Sequence, residues 1–440
     1  MWERYPMNDR ALYRFNEWWA TGSVRKNLTG TFRREDYAKW RELLGHRSIL
    51  LFYGLRRVGK TTMMHQLIDD LLRSGVEPER ILYFSFDESP GDLDAVISSY
   101  ARSVLKRPLA EARGVYIFFD EVQKARDWEN KVKIYYDLYP GIKFVLSGSS
   151  SLNLARRSSE TLAGRIMRVR VEPLSFREFC RLRGHDISYD RLRYAGDALE
   201  PLLSEYMEKG GFPELVGESD GFKIREYVRS IVIDRIVARD IPEEFGIRDL
   251  DLLRRLTEVL MLNPGMIVNL DKLASSLGRN RITVSNFLSY MEYSFLIRTV
   301  GNYRPGVEAA SRKLRKAYPY LPAFHTAMLG ASGAQDQGRI LENTMASVLE
   351  PEFYYRSGDT EIDFVLREGG KAIPVEVKSG TYRKQDFARA LQRIGSDRGI
   401  IVNRERWAVT GTDHMRILEC PAYVMAMDPQ RVLGDLASIP

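Results

Sequence analysis

Three groups of residues have types and spacings suited to chemistry on phosphates. The first reads Gly54-Leu55-Arg56-Arg57-Val58-Gly59-Lys60-Thr61-Thr62. Backbone N–H groups in a glycine-bracketed turn of this spacing curl around a triphosphate. Lys60 then reaches the terminal phosphates, and the Thr61 hydroxyl can hold Mg²⁺. The apolar run Leu50-Leu51-Phe52-Tyr53 ahead of the turn reads as a buried strand. The pattern Met64, Leu67, Ile68, Leu71, Leu72 behind it reads as an amphipathic helix, whose positive dipole end meets the same anion. The alternative is a chance glycine turn, and the order strand, loop, helix argues against it.

The second group is Asp120-Glu121, at the end of the apolar run Val115-Tyr116-Ile117-Phe118-Phe119. An aspartate there can hold the water shell of Mg²⁺, and a glutamate beside it can polarise the attacking water. The alternative is a pair of exposed acids where a strand ends. Ser147 follows another apolar run, Lys143-Phe144-Val145-Leu146, and opens Ser147-Gly148-Ser149-Ser150-Ser151. Its hydroxyl can sense the γ-phosphate, or the serines form an ordinary turn. Arg165, in Leu162-Ala163-Gly164-Arg165, is either a surface arginine or a group that neutralises transition-state charge, within its own subunit or across an interface.

The third group lies near the end of the chain. Glu361-Ile362-Asp363-Phe364-Val365-Leu366 reads as a strand, Glu368-Gly369-Gly370 as a turn, and Ile373-Pro374-Val375-Glu376-Val377-Lys378 as the partner strand. Side chains alternate along a strand, so Glu376 and Lys378 share a face. With Asp363 facing them, and Glu342 supplied by a helix that begins near Gly338, the carboxylates suit one or two Mg²⁺ ions. Lys378 would then stabilise a nucleophile attacking a phosphodiester. The alternative is a hairpin with charged residues on its solvent face.

Positioning these groups takes several layers of structure. Near-continuous apolar strands at Leu50–Tyr53, Ile81–Phe86, Val115–Phe119, Lys143–Leu146 and Met167–Val171 alternate with helical segments, which argues for a parallel sheet covered on both faces. Residues 1–45 look like a helical arm with many aromatics, residues 46–172 the nucleotide-binding core, and residues 173–245 a helical lid and connector. Within 246–318, Asn269 to Gly278 and Ile282 to Tyr290 read as two short helices, and Phe295-Leu296-Ile297 as the start of a wing strand. That is the layout of a winged helix-turn-helix, a DNA reader or a protein-interaction module. Arg279, Arg281, Arg298 and the run Arg312-Lys313-Leu314-Arg315-Lys316 favour DNA.

Composition fits this picture. The 440 residues are 44% hydrophobic and 28% charged, with a formal net charge of +7, so several folded domains and a nucleic-acid partner are both compatible. No apolar run reaches the length of a membrane span, the opening Met1-Trp2-Glu3-Arg4 is polar, and Cys180 and Cys420 lie far apart. A reducing, cytoplasmic setting without a membrane partner is expected.

The phosphate loop, Phe119-Asp120-Glu121, Ser147-Gly148-Ser149-Ser150, Leu162-Ala163-Gly164-Arg165, Pro173-Leu174-Ser175-Phe176-Arg177-Glu178-Phe179 and Gly211-Phe212-Pro213-Glu214 together resemble a group of prokaryotic, mainly archaeal ATPases of the AAA superfamily. The resemblance covers nearly the whole chain after about residue 25. Members join that ATPase to a winged helix and a C-terminal domain of uncharacterised function. The tail, 319–440, resembles the restriction-endonuclease-like core. The resemblance implies an α/β protein: a P-loop ATPase core with a parallel sheet, a helical lid, a winged helix and an α/β nuclease-like domain. It implies ATP and Mg²⁺ as cofactors, DNA or a protein as partner, and a homo-oligomer if Arg165 works across an interface. One departure stands out. The family's strand after the winged helix usually ends in an aspartate, and Ala317-Tyr318-Pro319-Tyr320-Leu321-Pro322-Ala323-Phe324 contains none.

Overall fold

The computed structural model describes residues 9–89, 91–148, 161–304, 311–330, 336–412 and 415–438. The chain divides into two compact units, Met1–Glu172 and Pro173–Pro440.

The first unit is built on five strands: β1 (Ile49–Tyr53), β2 (Ile81–Ser85), β3 (Val115–Asp120), β4 (Ile142–Gly148) and β5 (Ile166–Arg170). All neighbours are parallel, in the order β2-β3-β4-β1-β5. The apolar residues of β1–β4 are mostly buried on both faces, as a sheet covered on both sides requires, and those of the edge strand β5 are partly buried. Helices α1 (Lys60–Arg73), α2 (Leu93–Tyr100) and α3 (Trp128–Leu138) connect the strands. The N-terminal arm closes the open edge at β2. Asn16 Nδ2 donates to the Tyr83 carbonyl (2.8 Å), and Asn16 Oδ1 accepts from the Tyr83 N–H (2.6 Å). The indole nitrogens of Trp18 and Trp19 both donate to the Ile81 carbonyl. The arm thus satisfies the backbone groups that an edge strand leaves open.

The second unit holds nine strands: β6 (Met266–Val268), β7 (Ile297–Asn302), β8 (Ser311–Pro319), β9 (Phe353–Ser357), β10 (Thr360–Glu368), β11 (Lys371–Val377), β12 (Arg398–Asn403), β13 (Ala408–Thr412) and β14 (Met415–Pro421). They form one mixed sheet in the order β13-β14-β12-β11-β10-β9-β7-β8-β6. A winged helix and a tail read as separate segments are therefore continuous in hydrogen bonding. Strand β7 pairs in parallel with β9, and the expected boundary at 318/319 falls inside β8. Helices α4 (Leu250–Leu262), α5 (Leu270–Ser276) and α6 (Arg281–Tyr293) precede β7. Asn269 and Asn280 cap α5 and α6, each side chain accepting an N–H three residues on. Helix α7 (Gln337–Leu349) follows β8, and α8 (Lys384–Ile394) packs its apolar face on the tail sheet through Phe387, Leu391 and Ile394.

Candidate functional site

Strand β1 delivers the chain to the phosphate loop, and the local backbone explains its glycines. A Cβ at Gly54 would stand 2.3 Å from the Val171 carbonyl oxygen, so no side chain fits. Gly59 has φ +95° and caps α1, a conformation in which glycine carries no steric cost. The buried Lys60 ammonium donates to the carbonyls of Gly54 (3.0 Å) and Leu55 (2.8 Å), within the loop it would share with a phosphate. Thr61 opens α1 and donates its hydroxyl to Asp120 Oδ2 at 2.7 Å.

Asp120 ends β3 and is buried. Because β4 runs between β3 and β1, the end of β4 falls beside both. Ser147 there donates to Asp120 Oδ1, and its oxygen accepts the Glu121 N–H at 3.2 Å. Glu121 itself is in the left-handed region, φ +53°, as the chain leaves the sheet. Gln123 Nε2 donates to Glu121 Oε2 at 2.7 Å. Lys60, Thr61, Asp120, Glu121 and Ser147 therefore gather at the C-terminal edge of the parallel sheet, where ligands bind in such folds. Ser149, Ser150 and Ser151 lie outside the described residues.

Two residues beyond that set belong to the site. The Tyr83 hydroxyl donates to Asp120 Oδ2 at 3.0 Å, and burial with the Asp120 charge pushes its own ionisation well above the ordinary phenol range. The His65 ring packs on Tyr83, centroids 4.6 Å apart, and its Nδ1 lies 2.9 Å from the Thr61 carbonyl. Burial lowers the His65 pKa and favours the neutral ring. A tyrosine inside an otherwise apolar strand and a histidine four residues after Thr61 were the available signals.

Arg165 is elsewhere. It immediately precedes β5, whose first residue pairs with Ile49 and whose last pairs with Tyr53. Arg165 therefore sits at the N-terminal edge of the sheet, about 16 Å of strand away from the phosphate loop. Its guanidinium pairs with Asp137 through two bonds of 2.8 and 3.1 Å. Action on a phosphate bound in its own subunit is incompatible with this position.

In the second unit, α6 exposes Arg281, Ile282 and Asn286. A groove of about 590 Å³ runs past Arg281, Ser285, Asn286, Ser289 and Arg315. Of the arginines singled out in the sequence, Arg279 pairs with Asp249 at 2.8 Å, Arg298 with Glu350 at 2.7 Å and Arg281 with Asp271 at 3.7 Å. Lys316 is buried, so the run 312–316 is not a uniform basic surface; the side chains of Arg312 and Lys313 lie outside the described residues.

The tail carboxylates do come together. Strand β10 has a register shift against β9 between Ile362 and Val365, and Asp363 sits in it, the kind of irregularity that re-aims a side chain. Asp363 Oδ2 accepts the Val377 N–H at 2.9 Å, and the Asp363 N–H lies 3.4 Å from Glu376 Oε2. Lys378 pairs with Glu376 at 2.5 Å. Burial, then the charges of Glu376 and Glu342, push the Asp363 carboxyl well above the usual range. Into this cluster β8 inserts Lys316, with its ammonium 2.8 Å from Glu361, 3.4 Å from Glu342 and 3.9 Å from Asp363. Tyr318, two residues on and on the same face of β8, donates its hydroxyl to Glu342 Oε1 at 2.7 Å. Among the described residues, no group of three or more histidine, cysteine, aspartate or glutamate side chains has the arrangement of a metal site. The expected set Glu342, Asp363 and Glu376 is thus present with ammonium groups and N–H donors on its oxygens. Among the described residues, no helix is long and apolar enough to cross a membrane.

Comparison with known proteins places the first unit in a class. A family model described as an AAA domain matches residues 46–180, so this segment is similar to AAA-type P-loop domains. Two further models, each described as a domain of unknown function, match residues 200–335 and 338–423. Similar chains include an uncharacterized protein of Haemophilus influenzae, 26% identical over 75% of this chain and 82% of that protein. One from Methanocaldococcus jannaschii is 26% identical over 79% of each. Among solved structures, the Aeropyrum pernix ORC1 protein in complex with DNA aligns over 72% of this chain and 97% of that one, at 14% identity and a TM-score of 0.30. AMPPCP-bound DnaA from Aquifex aeolicus aligns over 59% and 86%, at 17% identity and a TM-score of 0.30.

Proposed function

We propose that this chain is a Mg²⁺-dependent ATPase that couples ATP binding and hydrolysis to DNA binding. The observation that carries the reading is the joining of Thr61, Asp120, Ser147 and Glu121 in one hydrogen-bonded set at the end of the phosphate-loop strand's sheet. Thr61 and Asp120 are hard oxygen donors 2.7 Å apart and suit Mg²⁺. The ion would neutralise charge on the β- and γ-phosphates. The loop from Gly54 to Thr62 holds the phosphates, and Lys60 exchanges its two carbonyl partners for the β- and γ-oxygens. Glu121 orients and polarises the attacking water, and Ser147 ties the position of Glu121 to that of Asp120. Any part Arg165 takes in hydrolysis is played on a neighbouring subunit's nucleotide, which makes a homo-oligomer the working form.

DNA contact is assigned to α6, whose exposed face carries Arg281, Ser285, Asn286 and Ser289 beside Arg315. The test is phosphate release with and without duplex DNA at low salt. Stimulation by DNA supports the coupled reading, and identical rates with no DNA affinity remove it.

A second reading is a nucleotide-gated switch whose tail grips DNA or a protein without cutting it. The burial of Lys316 among the tail carboxylates favours it over a tail that cleaves with Glu342, Asp363, Glu376 and Lys378. Incubating single-stranded, duplex and branched DNA with Mg²⁺ or Mn²⁺ decides. Cleavage lost in both Asp363→Ala and Lys378→Ala restores the nuclease, and no cleavage supports the switch.

A further inference from the structure

We propose that Lys316 is the resident cation of the tail cluster, a built-in lock that keeps these carboxylates free of divalent metal while β8 is seated in the sheet. The inference deepens the non-cleaving reading of the tail and rests on it. It concerns the second unit alone.

Lys316 is 3% exposed, although it comes from a sequence run that reads as a solvated basic stripe. A buried ammonium needs partners, and here they are three carboxylates from two elements: Glu342 of α7, and Glu361 and Asp363 of β10. Burial alone would lower the Lys316 pKa. The charges of Glu342 and Asp363 and the bond to Glu361 outweigh it and hold the group charged.

One oxygen of each of the three carboxylates expected to hold a metal already has a donor on it. Glu342 Oε1 has Tyr318 and Lys316 on it, Asp363 Oδ2 has the Val377 N–H, and Glu376 Oε1 has Lys378. A divalent ion and a buried ammonium have the same need, several carboxylate oxygens in one place, and repulsion between the two makes them compete for it. Lys316 and Tyr318 stand two residues apart on one face of β8, so a single strand supplies both contacts to Glu342. Seating β8 therefore does two things. It neutralises acids that would otherwise repel one another, and it ties the wing strand to α7 and β10. Taking the ammonium away exposes Glu342 and Asp363 as a divalent-cation site.

The test uses the full chain without nucleotide and counts bound Mn²⁺ by the loss of the free-ion paramagnetic resonance signal. Wild type and Asp363→Asn are expected to bind the same amount, because the tail takes none. Lys316→Met is expected to bind one Mn²⁺ more than wild type, since removing a paired buried charge leaves its partners uncompensated. The double variant Lys316→Met with Asp363→Asn should lose that ion again. Mn²⁺ binding by wild type that Asp363→Asn abolishes would overturn the lock. So would folded Lys316→Met and Lys316→Gln proteins that gain no ion. If both Lys316 variants fail to fold, the comparison of wild type with Asp363→Asn decides alone. DNA cleavage by wild type, scored separately, would overturn the non-cleaving reading of the tail and leave the Mn²⁺ count to judge the lock.

Discussion

Asp120 illustrates how much one buried carboxylate can organise. It receives Thr61 from the helix after the phosphate loop, Ser147 from the neighbouring strand and Tyr83 from the strand on its other side. Removing the tyrosine's hydroxyl takes one donor from Oδ2 and leaves the ring packed on His65. Tyr83→Phe is therefore expected to keep the fold and slow phosphate release roughly fivefold, the scale of one hydrogen bond of about 1 kcal/mol. Steady-state kinetics should place the loss in kcat, with KM for ATP nearly unchanged. An unchanged kcat would mean that Tyr83 only fills space. The sequence made Lys60, Thr61, Asp120 and Glu121 readable because loop, strand end and helix start are adjacent along the chain. Tyr83 was harder to read, since its partner lies 37 residues away and its one local signal, a hydroxyl in an apolar strand, does not say what it bonds to.

At the scale of elements, the N-terminal arm is held to α1 by Arg33, whose guanidinium makes bonds of 2.8 and 2.6 Å to Asp70, with the Tyr37 hydroxyl on the same carboxylate. Burial raises the Asp70 pKa, but the bonds from Arg33 and Tyr37 outweigh it and the net shift is downward from 3.8. A depressed carboxylate contributes stability above its unfolded pKa and loses it as pH falls through the folded value. Asp70→Asn should therefore cost about 1 kcal/mol at pH 7, a partly exposed pair being worth no more. The difference from wild type should shrink as pH falls below about 4. Denaturant unfolding at pH 7 and pH 3 checks both. A gap that persists undiminished at pH 3 would assign the loss to packing.

The two short helices read at Asn269 to Gly278 and Ile282 to Tyr290 correspond to α5 and α6, which the side chains of Asn269 and Asn280 cap. Which positive charges are available to a polyanion was not legible in the sequence. Arg279 and Arg298 read as free cations, but acids distant in sequence pair with them. Arg281 and Arg315 border the groove beside α6. Arg281→Ala and Arg315→Ala are each expected to weaken duplex binding and to reduce the slope of log K against log salt by about 1. Affinity that ignores both changes would move the interface off α6.

For the whole molecule, the nine-strand sheet changes how the chain after Pro173 is parsed. Alternating strand and helix signals made the five-strand parallel sheet legible. The fusion of wing and tail was not, because β7 meets β9 through backbone bonds that leave no mark in the side-chain pattern. Lys316 is a consequence: a lysine in a basic run is buried because its strand lies inside the sheet, between β7 and β6, and turns it toward acids of α7 and β10. Arg165 raises the question of assembly. Its place at the far edge of β5 requires a second subunit if it serves hydrolysis. Arg165→Ala alone should then be inactive, and so should Lys60→Ala alone. Mixing the two should restore part of the rate, because some interfaces combine an intact loop with an intact arginine. Full activity in Arg165→Ala would make it a surface residue paired with Asp137.

The first unit is proposed to hydrolyse ATP, with Lys60 holding the phosphates and Glu121 activating water. The most direct measurement is phosphate release by wild type, Lys60→Ala and Glu121→Gln in Mg²⁺, beside nucleotide binding by the same three proteins. The account predicts release by wild type and a loss on the order of 100-fold in both variants. It also predicts that Glu121→Gln still binds ATP, while Lys60→Ala binds it weakly. Equal release from all three proteins would contradict it.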